Sequence, residues 1–252
     1  MRGQPMALFL SSDVEQDAPP YMNTERGIVE GLPRLLELLD ELKVRATFFV
    51  VGRVAERHPR AVYNIIERGH ELGSHGYAHV RLDRVPLREA EDDVRRSLRV
   101  LRDFSEVKSF RAPNLKLPRQ LLPVLREEGV SVDASLASYK PPFPRGLTVE
   151  GGVVRVPATV TSSVLRVPWA LQRPLLALMP RVTTLFVHPW EVSGVVHWRP
   201  DIWVGTGPRL LGLLRNAVSY MVRRGYRPMT MSEAPSLLGN INFRALAQPG
   251  GR

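Results

Sequence analysis

The chain has no cysteine among its 252 residues, which excludes disulfide staples, thiolate metal ligands and thiol nucleophiles. Lysine is almost as scarce: of 35 basic residues, only those at 43, 108, 116 and 140 are Lys, and 31 are Arg. A membrane-length apolar run is also missing. The most apolar later stretch, 164–187, is interrupted by Arg166, Pro168, Arg173, Pro174, Pro180 and Arg181, so no integral membrane span is expected. Residues 1–5 lead straight toward a strand, without the charged start, apolar core and small-residue cleavage site of an export signal. The expectation is a cytoplasmic protein. Repeats, low-complexity tracts and Pro- or Gly-pooled linkers are lacking too. The 22 Pro and 19 Gly fall at element ends, which predicts one domain.

What is present is a chain 44% hydrophobic, enough for a substantial core, with a formal charge of +10. Such a balance suits acidic partners in general. The basic residues form only short doublets, such as Arg95 with Arg96 and Arg223 with Arg224, and alternate with Asp and Glu along expected helix faces. That pattern predicts a solvated Arg-rich surface with no nucleic-acid site.

The apolar run 7–12 ends at Asp13, as a buried parallel strand does. Ile28, Leu32, Leu35, Leu36, Leu39 and Leu42 then recur at helical spacing. Residues 46–51 read as a second strand stopped by Gly52, 59–68 as a helix opened by Pro59, and 71–74 as a third strand that delivers His75. An amphipathic helix is predicted at 86–103, a strand at 108–111, a helix at 118–128 and a strand at 130–134. Residues 147–160 alternate around Gly151 and Gly152 as a hairpin does. Strands at 182–187 and 227–231 flank a last long helix at 209–224. Strand–helix alternation predicts an α/β fold with a parallel sheet, of (β/α)-barrel type. Asp13, His75, Arg111, Asp133 and His188 each fall at or just past the C-terminal end of a different predicted strand, where the mouth of such a barrel lies.

His75 and His79, four residues apart, can grip one divalent cation. The acidic cluster Asp13, Glu15 and Asp17 offers a carboxylate ligand and a spare base. With these residues in view, the chain resembles the polysaccharide deacetylases, carbohydrate esterase family 4, also called the NodB homology domain. The resemblance runs from about residue 7 to 233, which implies one domain over 7–233 with a C-terminal extension at 234–252. It rests on five ordered blocks: Asp13, Val14, Glu15; Gly73 through His79; Arg111, Ala112, Pro113; Asp133, Ala134, Ser135; and Phe186, Val187, His188, Pro189.

The resemblance implies a distorted (β/α) barrel and a metal-dependent hydrolase of linear, non-peptide amide bonds, removing the acetyl group of an N-acetylated amino sugar. It implies that Glu15, His75 and His79 hold the metal, zinc first, with cobalt, manganese or iron open. Asp13 would be the base that takes the water proton, and Arg111 would pair with and orient it. His188 would be the acid for the leaving nitrogen, oriented and kept protonated by Asp133. A backbone N–H near Asn114 would help hold the oxyanion. Asp17 stands as an alternative ligand to Glu15, because the family more often has Asp there.

Two blocks depart from the family pattern. Asn114, Leu115 and Lys116 follow Pro113 where an aromatic residue and Gly are usual, and the fourth block lacks a Trp. Both changes fall on the walls that grip substrate, so the substrate is left open between an N-acetylated sugar and a cyclic amide or ureide. A basic binding protein on a degenerate barrel is the alternative from another class. Oligomeric state is not legible. Trp190 is a candidate sugar platform, His197 and Trp198 are candidate pocket walls, His58 is expected to be a loop residue, and His70 is expected to be structural.

Overall fold

The computed structural model describes residues 6–239 apart from 142, 145 and 196; residues 1–5 and most of the expected extension, 240–252, lie outside the described residues. The architecture is a curled parallel sheet with helices packed around its outer side, formed by one domain. Strand β1 (Ala7–Val14) is buried along its whole length, because it has parallel neighbours on both edges and side chains covered on both faces. It pairs with β8 (Val182–Val187) through Ala7–Ser12 on one edge. On the other edge, β9 (Arg227–Met229) pairs with Ala7–Phe9 and β2 (Thr47–Val50) takes over from Ser11.

The sheet continues from β2 to β3 (Glu71–Ser74), β4 (Ser109–Phe110), β5 (Val132–Ala137) and β7 (Val153–Ala158), with β6 (Thr148–Glu150) antiparallel to β7 across the expected glycine hairpin. Gly151 and Gly152 both have positive φ there, as a tight two-residue hairpin turn requires. Beyond β7, Val160 bridges to Leu185 of β8, and the Phe186 N–H donates to the Val160 carbonyl at 3.1 Å. The curled sheet is thereby brought partly closed at its far edges.

The predicted helices are present with shifted ends. A π-helical turn (Gly27–Gly31) precedes α1 (Leu32–Leu42), and α3 (Pro59–Glu67), α4 (Leu87–Arg102), α5 (Leu122–Glu127) and α10 (Pro208–Arg223) follow the expected periodicity. Five short helices went unpredicted: α2 (Gly52–Arg57), α6 (Ser162–Leu165), α7 (Trp169–Ala177), α8 (Pro189–Ser193) and α9 (Pro200–Trp203). None is long enough to show a clear apolar period, and α7 carries Pro174 inside it. The main core lies between the sheet and α1, α3, α4 and α10, where Leu35, Phe48, Ile65, Leu98 and Leu214 are fully or almost fully buried. Each such side chain is worth about 1.5–3 kcal/mol of burial. A second, smaller core inside the sheet's curl contains Phe9, Phe49, Val132 and Met231, the last from the 3-10 helix Met231–Leu238. No described helix is long and apolar enough to cross a membrane.

Two strand ends correct the sequence reading. Asp13 lies inside β1 rather than after it, because the ladder to β2 runs on to Val14. Asp133 is the second residue of β5, paired in register with Phe110, and β5 continues to Ala137. Asp133 therefore sits a layer below the rim instead of on it.

Candidate active site

The rim brings together side chains from three strand ends and one loop. Asp13 and Glu15 are two residues apart along an extended segment, so both point to the same side. His75 follows β3 and His188 follows β8, while His79 comes from the loop after His75. Glu15 Oε2 lies 2.5 Å from His79 Nε2 and 3.4 Å from His75 Nε2. Asp13 Oδ2 lies 3.8 Å from His75 Nε2 and 4.0 Å from His188 Nε2, and Glu15 Oε1 is 3.6 Å from His188 Nε2. These five side chains line one pocket of about 210 Å³, with Pro19, Asn114, Leu115, Tyr139, Lys140 and Phe186 as its walls.

The histidine loop is held from below. Ser74 Oγ meets Ser97 Oγ at 2.5 Å, and buried Asp93 of α4 accepts the N–H groups of Tyr77 (2.7 Å) and Ala78 (2.9 Å). The first N–H groups of α2, from Gly52 and Arg53, donate to the carbonyls of Gly76 and Tyr77. They thus satisfy helix-end donors that would otherwise be orphaned. Gly76 is required here: its φ is +74° and a Cβ would come within 2.7 Å of the Asp93 carboxylate. Tyr77 lies beneath the Arg96 guanidinium, 3.6 Å from its ring centroid, and donates to Glu56 at 2.9 Å.

His75 Nδ1 is 2.7 Å from the Arg111 carbonyl, which can only accept, so Nδ1 carries the proton and Nε2 presents its lone pair to the pocket. Arg111 is fully buried. It donates to Asp13 Oδ1 at 2.6 Å, to Ser11 Oγ at 2.9 Å and to the Ala134 carbonyl at 3.2 Å, and it lies over the Phe49 ring. The fixed guanidinium locks one oxygen of Asp13 and leaves Oδ2 toward the pocket. Burial works against the charge on Glu15, yet the adjoining His75 and His79 imidazoles and the charge of His188 hold its carboxyl well below the usual range. Burial likewise opposes a charged His79, and Glu15 overcomes it, raising that imidazole.

The donor set fits a divalent cation. Glu15, His75 and His79 each offer one ligand atom within 4.8 Å of the others, a two-imidazole, one-carboxylate set that leaves coordination positions open. Asp17, the alternative carboxylate, is engaged away from the two imidazoles. Asp17 accepts from the Thr24 hydroxyl (2.6 Å) and the N–H groups of Arg26 and Gly27 (both 2.8 Å), so its oxygens are spent closing the 17–27 loop.

Asp133 does not orient His188. Its carboxylate takes Arg155 Nε at 2.5 Å together with the Ser135 hydroxyl and N–H, and burial pushes its pKa upward against those partners. The residue the sequence reading missed is Glu191. Its Oε2 lies 3.1 Å from His188 Nδ1 and accepts the His188 N–H at 2.8 Å, while its Oε1 pairs with Arg166. Burial would lower the His188 pKa, but Glu191 first, then Glu15 and Asp13, lifts it to about 9. Glu191 itself, despite burial, is brought to about 2 by His188 and Arg166. The signal was available: His188 and Glu191 have the i, i+3 spacing of a capping box across Pro189.

Trp190 is also corrected. It is 7% exposed and stacks on the His188 ring at 5.2 Å, so it backs the imidazole rather than offering a platform to a sugar. Trp198 is exposed, and neither it nor His197 lines the pocket. Tyr139 and Lys140 do line it; they lie just past β5, beyond the strand end that the sequence reading placed at 134. His70 is structural as expected: it accepts the Ala46 N–H, and burial lowers its pKa to about 4. His58 is held by Glu25 at 2.6 Å.

The family model for polysaccharide deacetylase matches residues 17–132. A peptidoglycan deacetylase from Helicobacter pylori is 30% identical over 103 residues, covering 40% of this chain and 34% of that protein. A chitooligosaccharide deacetylase from Sinorhizobium fredii is 33% identical over 84 residues, covering 32% and 39%. The chain thus matches little more than a third of the length of these curated relatives. Among solved structures, a Mycobacterium smegmatis protein provisionally named a polysaccharide deacetylase superposes with a TM-score of 0.75. It is 22% identical, with 100% of this chain and 95% of that one covered, and it shares the fold. The chain is thus similar to the polysaccharide deacetylases, carbohydrate esterase family 4, in sequence over residues 17–132 and in fold over its whole length. The matched segment holds His75, His79 and Arg111, whereas Asp13, Glu15 and His188 join them through geometry alone.

Proposed function

We propose that the protein is a metal-dependent amide hydrolase that removes the acetyl group from an N-acetylated amino sugar. The observation that carries this reading is the convergence of Asp13, Glu15, His75, His79 and His188 on one pocket, with Arg111 fixing Asp13. The polysaccharide deacetylase match over residues 17–132 and the deacetylase activities named for the relatives support it.

Glu15, His75 and His79 would hold the cation, zinc first. When bound it would supply Lewis acidity, lowering the pKa of a water and polarising the acyl oxygen. Asp13, with Oδ1 tied to Arg111, keeps Oδ2 free to accept the proton of the attacking water. His188 is protonated below about pH 9 and points Nε2 into the pocket, where it can give a proton to the departing amine. Glu191 holds the other nitrogen of that ring, which fixes its plane and favours the protonated form. The backbone N–H near Asn114, on the pocket wall, is a second donor to the developing oxyanion.

The test is release of acetate from N-acetylglucosamine oligosaccharides and their phosphate-bearing derivatives by purified protein with added zinc or cobalt. Acetate release supports the assignment. Ring opening of hydantoin-like cyclic ureides with no acetate release replaces the substrate and keeps the site. Neither reaction with any substrate sinks the enzymatic reading.

A further inference from the structure

The charge of this chain is unevenly distributed in a way its total conceals. Residues 1–150 carry 23 Lys or Arg against 22 Asp or Glu, whereas residues 151–252 carry 12 against 3. No acidic residue occurs between Glu150 and Glu191, nor between Asp201 and Glu233. These two acid-free stretches contain α7 and α10, which pack against each other on the outside of the sheet.

Helix α7 turns an apolar row outward. Leu171, Leu175 and Leu178 follow an i, i+4, i+7 spacing, which places them on one side, and they are 61%, 43% and 81% exposed. At the start of α7 the surface continues into a shallow pocket of about 420 Å³ lined by Val167, Pro168, Val204 and Arg209. At its other flank Arg173 and Arg224 lie near the Tyr220 ring, and Trp169 meets that ring edge-on at 5.8 Å. Among the described residues Arg173, Arg209 and Arg223 have no carboxylate partner. Exposed leucines on one flank of α7, with half-buried Trp169 and Tyr220 beside Arg173 on the other, are the components of a helix that lies in a bilayer interface.

We propose that the α7–α10 face docks on an anionic lipid bilayer, with Leu171, Leu175 and Leu178 in the acyl boundary and Arg173, Arg209 and Arg223 against the headgroups. Charge selects this occupant. A second copy meeting the same face about a two-fold axis would bring two arginine-rich, acid-poor surfaces together. A nucleic acid would match the arginines and leave the leucine row without an apolar partner. The docking needs nothing from the catalytic pocket and stands whether or not that site cleaves an amide.

Co-sedimentation of the full chain with phosphatidylcholine vesicles, with and without about 30 mol % phosphatidylglycerol, tests it. Wild type is expected to bind the anionic vesicles at least about tenfold better than the neutral ones, and less as salt rises. L171Q/L175Q/L178Q and R173E/R223E are each expected to lose about tenfold or more in vesicle binding, with the thermal unfolding midpoint unchanged because these groups are solvent-exposed. D13N is expected to bind as wild type does. Equal binding to both vesicle types, or anionic binding untouched by both surface variants, overturns the proposal. So does a dimer in light scattering that the leucine variant splits, if vesicles do not bind. Should the leucine variant fail to fold, R173E/R223E decides the matter alone.

Discussion

The two ends of the sheet each hold a carboxylate, half-buried Glu71 at one and buried Glu15 at the other, and they treat it in opposite ways. At the N-terminal end, Glu71 is enclosed by donors of the fold itself: Thr47 and Ser109 hydroxyls at 2.7 Å and the Ser232 N–H at 3.0 Å, with Met231 N–H bound to Thr47. That cluster ties β2, β3, β4 and the final 3-10 helix together. At the C-terminal end, Glu15 meets only imidazoles, and its neighbours face one another across a pocket. A carboxylate whose partners are hydroxyls and backbone N–H groups is doing structural work. One whose partners are other titratable groups around open space is poised for a ligand.

Substitutions should separate the two ends sharply. The largest expected effect is at the rim: Asp13→Asn should lower the deacetylation rate by at least ~10²-fold while folding is retained, since the base is lost and Arg111 keeps an oxygen to hold. Next, His188→Ala should cost a comparable ~10²-fold, and Glu191→Gln should act through it. Because the His188 pKa is raised, the protonated acid is present at lower pH and is lost as pH climbs through about 9. Removing the Glu191 charge should draw that alkaline limb toward neutral pH, measured as a shifted kcat profile with unchanged circular dichroism. An unshifted limb would detach Glu191 from the acid.

Below the rim the readout should change from rate to stability. Arg155→Met strands the buried Asp133 carboxylate and should cost about 3–5 kcal/mol in urea unfolding. If folded Arg155→Met lost activity with no loss of stability, Asp133 would have to return to the catalytic set. The smallest effect belongs to the opposite end. Ser109→Ala removes one donor to Glu71 and should cost about 1–2 kcal/mol with kcat unaltered.

The same contrast shows what was readable in the sequence. Strands β1, β2 and β8 were legible because strands buried on both faces are continuous apolar runs, and Asp13 and His188 were legible because they end such runs, whereas His75 was marked by its spacing to His79. Asp133 was misplaced because Val132–Ala137 mixes small and polar residues, so nothing in composition marked its true end. That error also hid Tyr139 and Lys140. Glu191 was overlooked because it lies in a five-residue helix after His188 and Pro189, too short to register as an element. The pull of α8 toward the π-helical turn was likewise invisible, though two glycines mark it. A Cβ at Gly27 or Gly31 would collide with the backbone of Trp190 or Pro189. Contacts between distant segments, such as Arg155 with Asp133, carry no local period and had to come from coordinates.

The most direct measurement pairs elemental analysis of the purified protein with acetate release, for wild type and Asp13→Asn side by side. The account predicts close to one divalent metal per chain in both proteins and turnover at least ~10²-fold lower in the variant. Wild-type turnover in Asp13→Asn, or no metal retained by the wild type, would contradict it.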